Sequence, residues 1–147
     1  MTAAYESLSE SMKNFLKNLT AEHDFCHGFK ESIAEPGGRE RLKDAIKNNP
    51  PVIHPVIRTH PITKRKAIFV NPLFTTKINE LSKSESDALL EFLYSYSITP
   101  EFTCRFSWTP NSIAIWDNRC TLHKPINDYF PEHRLLERIT VDGDEPF

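Results

Sequence analysis

The sequence predicts a mainly β chain with flanking α-helices, arranged as an antiparallel sheet fold. Short runs rich in β-branched and aromatic residues occupy much of the region after residue 51, which is typical of strands. An amphipathic helix interrupts these runs. Strands and helices do not alternate regularly, which argues against a parallel sheet. A jelly roll and an open α+β sheet both fit this order of elements.

Composition indicates one domain, residues 1–147, with enough chain to bury a core. Ten phenylalanines, four tyrosines and two tryptophans supply bulk for packing. The formal charge of −2 and the dispersed basic residues predict no nucleic-acid partner. No leader pattern or membrane-length apolar run is present, so no membrane association is expected. Three cysteines without a CxxC pair favour a reduced, cytoplasmic protein.

Two helices are predicted from apolar periodicity. The first covers residues 5–19, where apolar residues recur every three or four positions: Leu8, Met12, Phe15, Leu16 and Leu19. The second covers residues 82–96 and begins with a capping box of Ser82 and Glu85. Its apolar face is predicted to consist of Ala88, Leu89, Phe92 and Leu93.

The region 20–51 is weakly patterned and rich in Glu, Lys and His. Residues 39–47 fit a short helix. A long polar excursion between regular elements is often a lid or a binding loop. A mobile surface insertion explains the composition equally well, and both interpretations stay open.

Strands are predicted over the remaining apolar runs. Residues 52–57 and 67–70 flank a turn at 61–65, which indicates a hairpin. Alternating patterns predict further strands, with the following ranges: 102–108, 113–115 and 134–141.

Two arginines in the last predicted strand share one face. Residues four apart in a strand point the same way, so Arg134 and Arg138 would lie about 13 Å apart along that face. If the face were interior, each guanidinium would need an anion, and arginine suits a carboxylate or sulfonate. A solvated face with ordinary surface charges is the alternative.

His123 follows the segment Trp116-Asp117-Asn118-Arg119 and precedes both arginines. A lone histidine after a strand is usually structural and becomes a metal ligand only with partners. His23 and His27 are four residues apart, a spacing that chelates zinc on a helix. That segment has poor helical periodicity, so no zinc site is predicted there. No nucleophile motif or glycine-rich phosphate loop is present.

These residues together resemble the C-terminal half of the taurine dioxygenase family, which are iron(II)- and 2-oxoglutarate-dependent oxygenases. The similarity runs over nearly the whole chain and keeps its order. It is carried by the segments 4–9, 19–25, 54–61, 69–71, 74–76, 100–102 and 116–123. An ordered series of this length is highly specific.

The resemblance implies a double-stranded β-helix, or jelly roll, flanked by helices. It implies Fe(II) held by two histidines and one carboxylate, with open positions for 2-oxoglutarate and oxygen. The expected reaction hydroxylates a small sulfonate such as taurine and releases sulfite, succinate and CO2. The implied partner is a small anionic, sulfonate-like substrate.

Individual roles follow from the resemblance where residues match. His123 matches the second histidine ligand of the metal, and Trp116 matches a tryptophan near it. Arg134 matches the arginine that binds the distal carboxylate of 2-oxoglutarate. Arg138 matches the arginine that holds the substrate sulfonate, and Phe74 matches an aromatic residue lining that pocket.

The sequence departs from the family because it contains no His-x-Asp or His-x-Glu. In the family that motif lies upstream of the matched region, as do a threonine that helps bind 2-oxoglutarate and the N-terminal strands. The chain is therefore expected to be a partial jelly roll, truncated and inactive alone. The alternative is a non-catalytic remnant that serves as an oligomerisation or binding module. Uncovered strand edges also predict a homo-oligomer, a bound partner or marginal stability.

Overall fold

A computed structural model describes residues 1–147, which form seven helices, five short strands and one 3-10 turn. The helices are α1 Thr2–Glu6, α2 Glu10–Leu16, α3 Phe25–Gly28, α4 Lys30–Ala34, α5 Gly38–Arg41, α6 Lys43–Asn48 and α7 Lys83–Ser97. The strands are β1 Thr20–His23, β2 Val52–Pro55, β3 Ile57–Thr59, β4 Lys66–Ile68 and β5 Thr75–Ile78, and the 3-10 turn is Pro100–Phe102.

The strands form two antiparallel sheets. The first has the order β2-β1-β5, with Ala21 opposite both His54 and Ile78. The second pairs β3 with β4, with Arg58 opposite Ala67. Helices flank these sheets, as predicted. The helices outnumber the strands, so the prediction of a mainly β chain is wrong in its proportions.

Val56 connects the two sheets through its backbone. Its N–H donates to the carbonyl oxygen of Leu19 at 2.9 Å, just before β1. Its carbonyl accepts from the N–H of Phe69 at 2.7 Å, just after β4. The predicted hairpin is therefore confirmed for β3 and β4, whereas β2 pairs with β1 in the other sheet.

The predicted helix over residues 5–19 is two helices. Ser9 adopts an extended backbone conformation, and its side chain accepts from the N–H of Met12 at 3.2 Å. This cap starts α2 and separates it from α1, since an N-cap residue is not itself helical. Leu8, Leu16 and Leu19 are buried as the pattern requires, but Phe15 is 51% exposed.

Helix α7 matches the predicted range and its capping box. The backbone N–H of Ser82 donates to Oε2 of Glu85 at 2.9 Å. Its buried face is rotated from the predicted one and consists of Ser86, Leu90, Leu93 and Ser97. The rotation has a local cause, because Oγ of Ser86 accepts from the N–H of Ile78 at 2.8 Å. That bond directs a polar residue toward the end of β5.

The hydrophobic core lies entirely within the first two thirds of the chain. Its 12 buried members are Ala4, Leu8, Leu16, Leu19, Ala21, Val56, Ile57, Ile68, Val70, Ile78, Leu90 and Leu93. Both sheets, α1, α2 and α7 contribute to it. The region 103–147 contributes no buried apolar residue.

The strands predicted at 102–108, 113–115 and 134–141 are absent, and residues 103–147 have irregular backbone apart from turns. An alternating pattern makes a strand only where a neighbouring strand satisfies its N–H and C=O groups. Neither sheet gives a strand partner to this region. Its apolar side chains are instead exposed, for example Ile115 at 95% and Ile139 at 93%. A complete jelly roll is therefore not formed within these residues.

The weakly patterned region 20–51 contains β1 and four short helices. Strand β1 was not predicted because Ala21 is its one apolar residue. The single helix expected over 39–47 is divided at Leu42 into α5 and α6. No helix in the structure combines the length and apolarity needed to cross a membrane.

Candidate functional site

The segment that carries Trp116 and His123 is folded around Asp117. The carbonyl oxygen of Asp117 accepts from the N–H groups of Cys120 at 3.2 Å and Thr121 at 3.0 Å. Its Oδ1 accepts from the backbone N–H of Arg119 at 2.9 Å. Two residues beyond this turn, the imidazole of His123 packs on the indole of Trp116, with ring centroids 4.8 Å apart.

His123 is exposed and has no second metal ligand beside it. No hydrogen bond or ion pair joins it to a carboxylate or to another histidine. One histidine does not hold Fe(II), since such sites need two histidines and a carboxylate. The residues of this chain therefore do not by themselves fit the expected metal site.

The chain does contain one group of three potential ligand atoms, from His60, Asp117 and Cys120, all within 4.8 Å of one another. Nδ1 of His60 accepts from the N–H groups of Ile62 and Thr63, both at 3.2 Å. The ring proton is therefore on Nε2, which lies 3.0 Å from Oδ2 of Asp117 and donates to it. This leaves no imidazole lone pair for a metal, so the group is a hydrogen-bonded anchor.

Asp117 is also the acceptor of a bidentate ion pair. Nε of Arg119 lies 2.9 Å from Oδ1 of Asp117, and one terminal nitrogen lies 2.8 Å from Oδ2. The bonds from Arg119 and from His60 hold the pKa of the Asp117 carboxyl well below its ordinary value. The carboxylate is charged, and both of its oxygens accept hydrogen bonds.

Arg119 also pairs with an acidic residue near the end of the chain. Its other terminal nitrogen lies 3.6 Å from Oδ1 of Asp144. Oδ2 of Asp144 in turn lies 2.9 Å from a guanidinium nitrogen of Arg58, which is only 4% exposed. The N–H of Thr59 also donates to the carbonyl oxygen of Phe147 at 2.7 Å. The last residues of the chain are thereby fixed to β3.

Arg134 and Arg138 do not share a strand face, because their segment is irregular. The Arg134 guanidinium lies over the ring of Tyr129, with its Cζ 5.5 Å from the centroid. Together with Leu136 they line an open groove of about 190 Å³. Arg138 is exposed and makes no ion pair. No hydrogen bond, ion pair or cation–π contact joins either arginine to His123.

Phe74 belongs to an aromatic cluster next to α3. Its ring lies 6.1 Å from that of Phe29, which stacks on Phe25 at 4.4 Å. Gly28 leaves room for it, because a Cβ atom at position 28 would be 2.7 Å from Cε1 of Phe74. An adjacent cavity of about 260 Å³ is lined mainly by residues 27–32 and also by Pro72 and Leu73.

His23 and His27 lie in different elements, β1 and α3, and form no metal site. His23 is buried against His54, with ring centroids 5.2 Å apart, and against Phe69 at 6.0 Å. Burial, with a smaller effect of His54, lowers the pKa of His23 to about 4. Nε2 of His23 is buried without a hydrogen-bond partner. His23 and His54 are therefore uncharged and pack against each other within the sheet.

Sequence reasoning missed the anchor formed by His60, Asp117, Arg119, Asp144 and Arg58. Short spacing could have indicated the pairing of Asp117 with Arg119, two residues apart. The other contacts join residues separated by 25, 57 and 86 positions, and no local pattern indicates such contacts.

Comparison with known proteins gives a consistent result. Residues 1–140 match the family described as "Taurine catabolism dioxygenase TauD, TfdA family". The chain is 36% identical over 147 residues to an alpha-ketoglutarate-dependent sulfonate dioxygenase of Saccharomyces cerevisiae, covering 97% of the chain and 34% of that protein. It is 35% identical to an alkylsulfatase of Acinetobacter baylyi, covering 96% of the chain and 45% of that protein.

A solved structure shows the same similarity. The crystal structure of a taurine dioxygenase from Burkholderia xenovorans superimposes with a TM-score of 0.64 at 34% identity. The superposition covers 81% of this chain and 35% of that one. The chain thus spans between a third and a half of the length of these relatives.

Proposed function

Because the chain belongs to the taurine catabolism dioxygenase TauD, TfdA family, we propose that it forms part of an Fe(II)- and 2-oxoglutarate-dependent dioxygenase. The proposed substrate is a small sulfonate or sulfate ester. The ordered match of residues 1–140 to the family carries this proposal. It includes the Trp116-to-His123 segment, whose two rings pack together.

We assign one role to each matched residue. His123 supplies one metal ligand, Arg134 binds the distal carboxylate of 2-oxoglutarate, and Arg138 binds the anionic head of the substrate. A guanidinium gives each anion paired, charge-assisted hydrogen bonds. Phe74 lines the substrate pocket. The bound metal and 2-oxoglutarate supply the oxidising chemistry in this family, and the protein supplies position and charge.

The residues of this chain supply one ligand, so we propose that they do not turn over by themselves. Anaerobic Fe(II) titration with 2-oxoglutarate tests this directly. The purified chain should not develop the absorption band of metal-chelated 2-oxoglutarate. A band that disappears in His123→Ala would contradict this proposal and show that further metal ligands are supplied, for example by a second subunit.

A chimera tests the role of His123. The matching segment of the Saccharomyces cerevisiae sulfonate dioxygenase, 34% of that protein, is replaced by residues 1–147. The chimera should consume 2-oxoglutarate and release sulfite from a sulfonate, and His123→Ala should abolish both. His133→Ala, another exposed histidine in the same region, should retain turnover. A folded His123→Ala chimera with unchanged turnover would refute the assignment.

A second candidate function is an oligomerisation or binding module without catalysis. The number of exposed large apolar side chains in 103–147 favours it, for example Ile113, Ile115 and Ile139. Light scattering across a concentration series separates the two: a stable homo-oligomer without the absorption band would support the module. For either function the three free cysteines fit a reducing compartment, and we propose the cytoplasm.

A further inference from the structure

Three separate parts of the chain meet around Asp117 and Arg119. They are the end of β3 with His60, the turn 117–121, and the C-terminal residues 144–147. The charges along this junction alternate in sign, from Arg58 through Asp144 and Arg119 to Asp117. Each charge therefore has an opposite charge beside it.

The Arg58 end of this junction is fixed by burial. Arg58 is 4% exposed, its guanidinium lies 5.0 Å from the ring centroid of Phe69, and one nitrogen is 2.9 Å from Oδ2 of Asp144. A buried charge stays in place only with a partner, because an uncompensated one is strongly destabilising. Arg58 therefore holds Asp144 against β3.

The Asp117 end is fixed by geometry. Nδ1 of His60 accepts two backbone N–H bonds, which fix the ring plane and aim Nε2–H at Asp117. Arg119 engages both oxygens of the same carboxylate in a fork that allows little rotation. Asp117 also closes the turn through its own carbonyl oxygen. Its position and that of the turn are therefore coupled.

Resting on the proposed function, which makes His123 a metal ligand, we infer that Asp117 is a positioning residue for His123. It holds the turn between Trp116 and His123 against the β3–β4 hairpin through His60, and against the C-terminal residues through Arg119. The surrounding backbone is irregular and shares no sheet with the core. Side-chain hydrogen bonds to Asp117, rather than strand pairing, therefore fix the position of this turn.

The packing of His123 on Trp116 offers a local readout of this role that needs neither metal nor turnover. An indole ring 4.8 Å away shifts the proton resonances of an imidazole through its ring current. We would measure the His123 ring-proton shifts in the full chain at one fixed pH. The Trp116→Leu variant defines the value without this effect.

In Asp117→Asn the His123 resonances should move most of the way to their positions in Trp116→Leu, because Arg119 loses its partner charge. Arg119→Gln, which leaves the Asp117–His60 bond in place, should move them part of the way. Asp128→Asn is the matched control. It removes an exposed carboxylate paired with Arg105 in the same irregular region, and it should leave the His123 resonances unchanged.

Unchanged His123 resonances in both Asp117→Asn and Arg119→Gln would overturn the inference. Resonances of β1 and α7 monitor the fold in the same spectra. If Asp117→Asn loses them, Arg119→Gln decides the question alone. The two proposals also fail separately. An inactive His123→Ala chimera with unmoved resonances refutes only the positioning role, and moved resonances with an active His123→Ala chimera refute only the metal ligand.

Discussion

Nε2 of His60 lies 3.0 Å from Oδ2 of Asp117, although 57 residues separate the two along the chain. This bond joins a residue at the end of β3, next to the core, to a turn that shares no sheet with it. A second link between the turn and the core runs from Arg119 through Asp144 to Arg58. Side-chain polar contacts, rather than apolar burial, thus place the proposed metal-ligand segment.

Arg58→Ala should destabilise the chain by about 3 kcal/mol, because it removes a buried side chain and its packing on Phe69. Arg58→Met keeps most of that packing and should cost less. Urea unfolding measures both. Arg105→Ala, which breaks an exposed pair with Asp128, should cost no more than about 1 kcal/mol. Equal losses at positions 58 and 105 would contradict the burial of Arg58.

Acid should destabilise the protein through His23. Its folded pKa is lowered to about 4, against an ordinary value of 6.5, so the unfolded chain takes up a proton more readily. Stability is therefore independent of this group above about pH 6.5 and falls by about 2 kcal/mol as pH drops toward 4.5. Urea midpoints across this range measure the loss. In His23→Phe the pH dependence should be smaller, and an unchanged slope would show that folding does not lower the pKa of His23.

Leu93→Ala should destabilise the chain by about 3 kcal/mol, since Leu93 is completely buried and a cavity would remain. Phe92→Ala is the matched substitution on the adjacent face. Phe92 is 38% exposed and stacks on Tyr96, so its replacement should lower the free energy of unfolding by about 1 kcal/mol. Thermal or urea unfolding separates the two. A larger loss of stability in Phe92→Ala than in Leu93→Ala would support the helix face predicted from sequence.

Gly28→Ala should destabilise the chain by about 1–3 kcal/mol, because the added Cβ meets Phe74 at 2.7 Å and the Leu73 carbonyl at 2.9 Å. Gly143→Ala adds a methyl group with nothing within 4 Å and should be nearly neutral. Combining Gly28→Ala with Phe74→Leu should recover part of the loss. A double-mutant cycle in urea measures the recovery, and simple additivity would show that the two side chains do not meet.

In the chimera, Arg134→Ala and Arg138→Ala should each weaken the binding of a different substrate. Each removes a charge-assisted pair worth about 1.5–3 kcal/mol, which is on the order of tenfold or more in affinity. Arg134→Ala should raise the 2-oxoglutarate concentration needed for half-maximal turnover, and Arg138→Ala the sulfonate concentration. Kinetics with each substrate varied in turn distinguish them. If both variants raised the required concentration of the same substrate, the role assigned to one arginine would be wrong.

Local sequence signals predicted the parts of the fold that local energetics determine. The capping box of Ser82 and Glu85 and the β3–β4 hairpin are confirmed, because caps and tight turns are short-range interactions. The division of residues 5–19 at Ser9 was also a short-range effect, but the strong apolar spacing hid it. Strand β1 has one apolar residue and depends on pairing with β2 and β5.

The site was less predictable because its contacts are distant in sequence. Trp116 packs on His123, and the expectation that both lie near the metal stays a prediction. The shared face of Arg134 and Arg138 required a strand, and a strand requires a neighbour that this region does not have. The partners of Asp117 lie beyond any local pattern.

The backbone of Val56 has a consequence for how the fold opens. One residue hydrogen-bonds to Leu19 on the side of the first sheet and to Phe69 on the side of the second, and its side chain is fully buried between them. Fraying that starts in either sheet therefore disturbs a backbone hydrogen bond of the residue that is also bonded to the other. Amide exchange at Val56 and Phe69 should proceed at similar rates, so two sheets with separate strand orders behave as one cooperative unit.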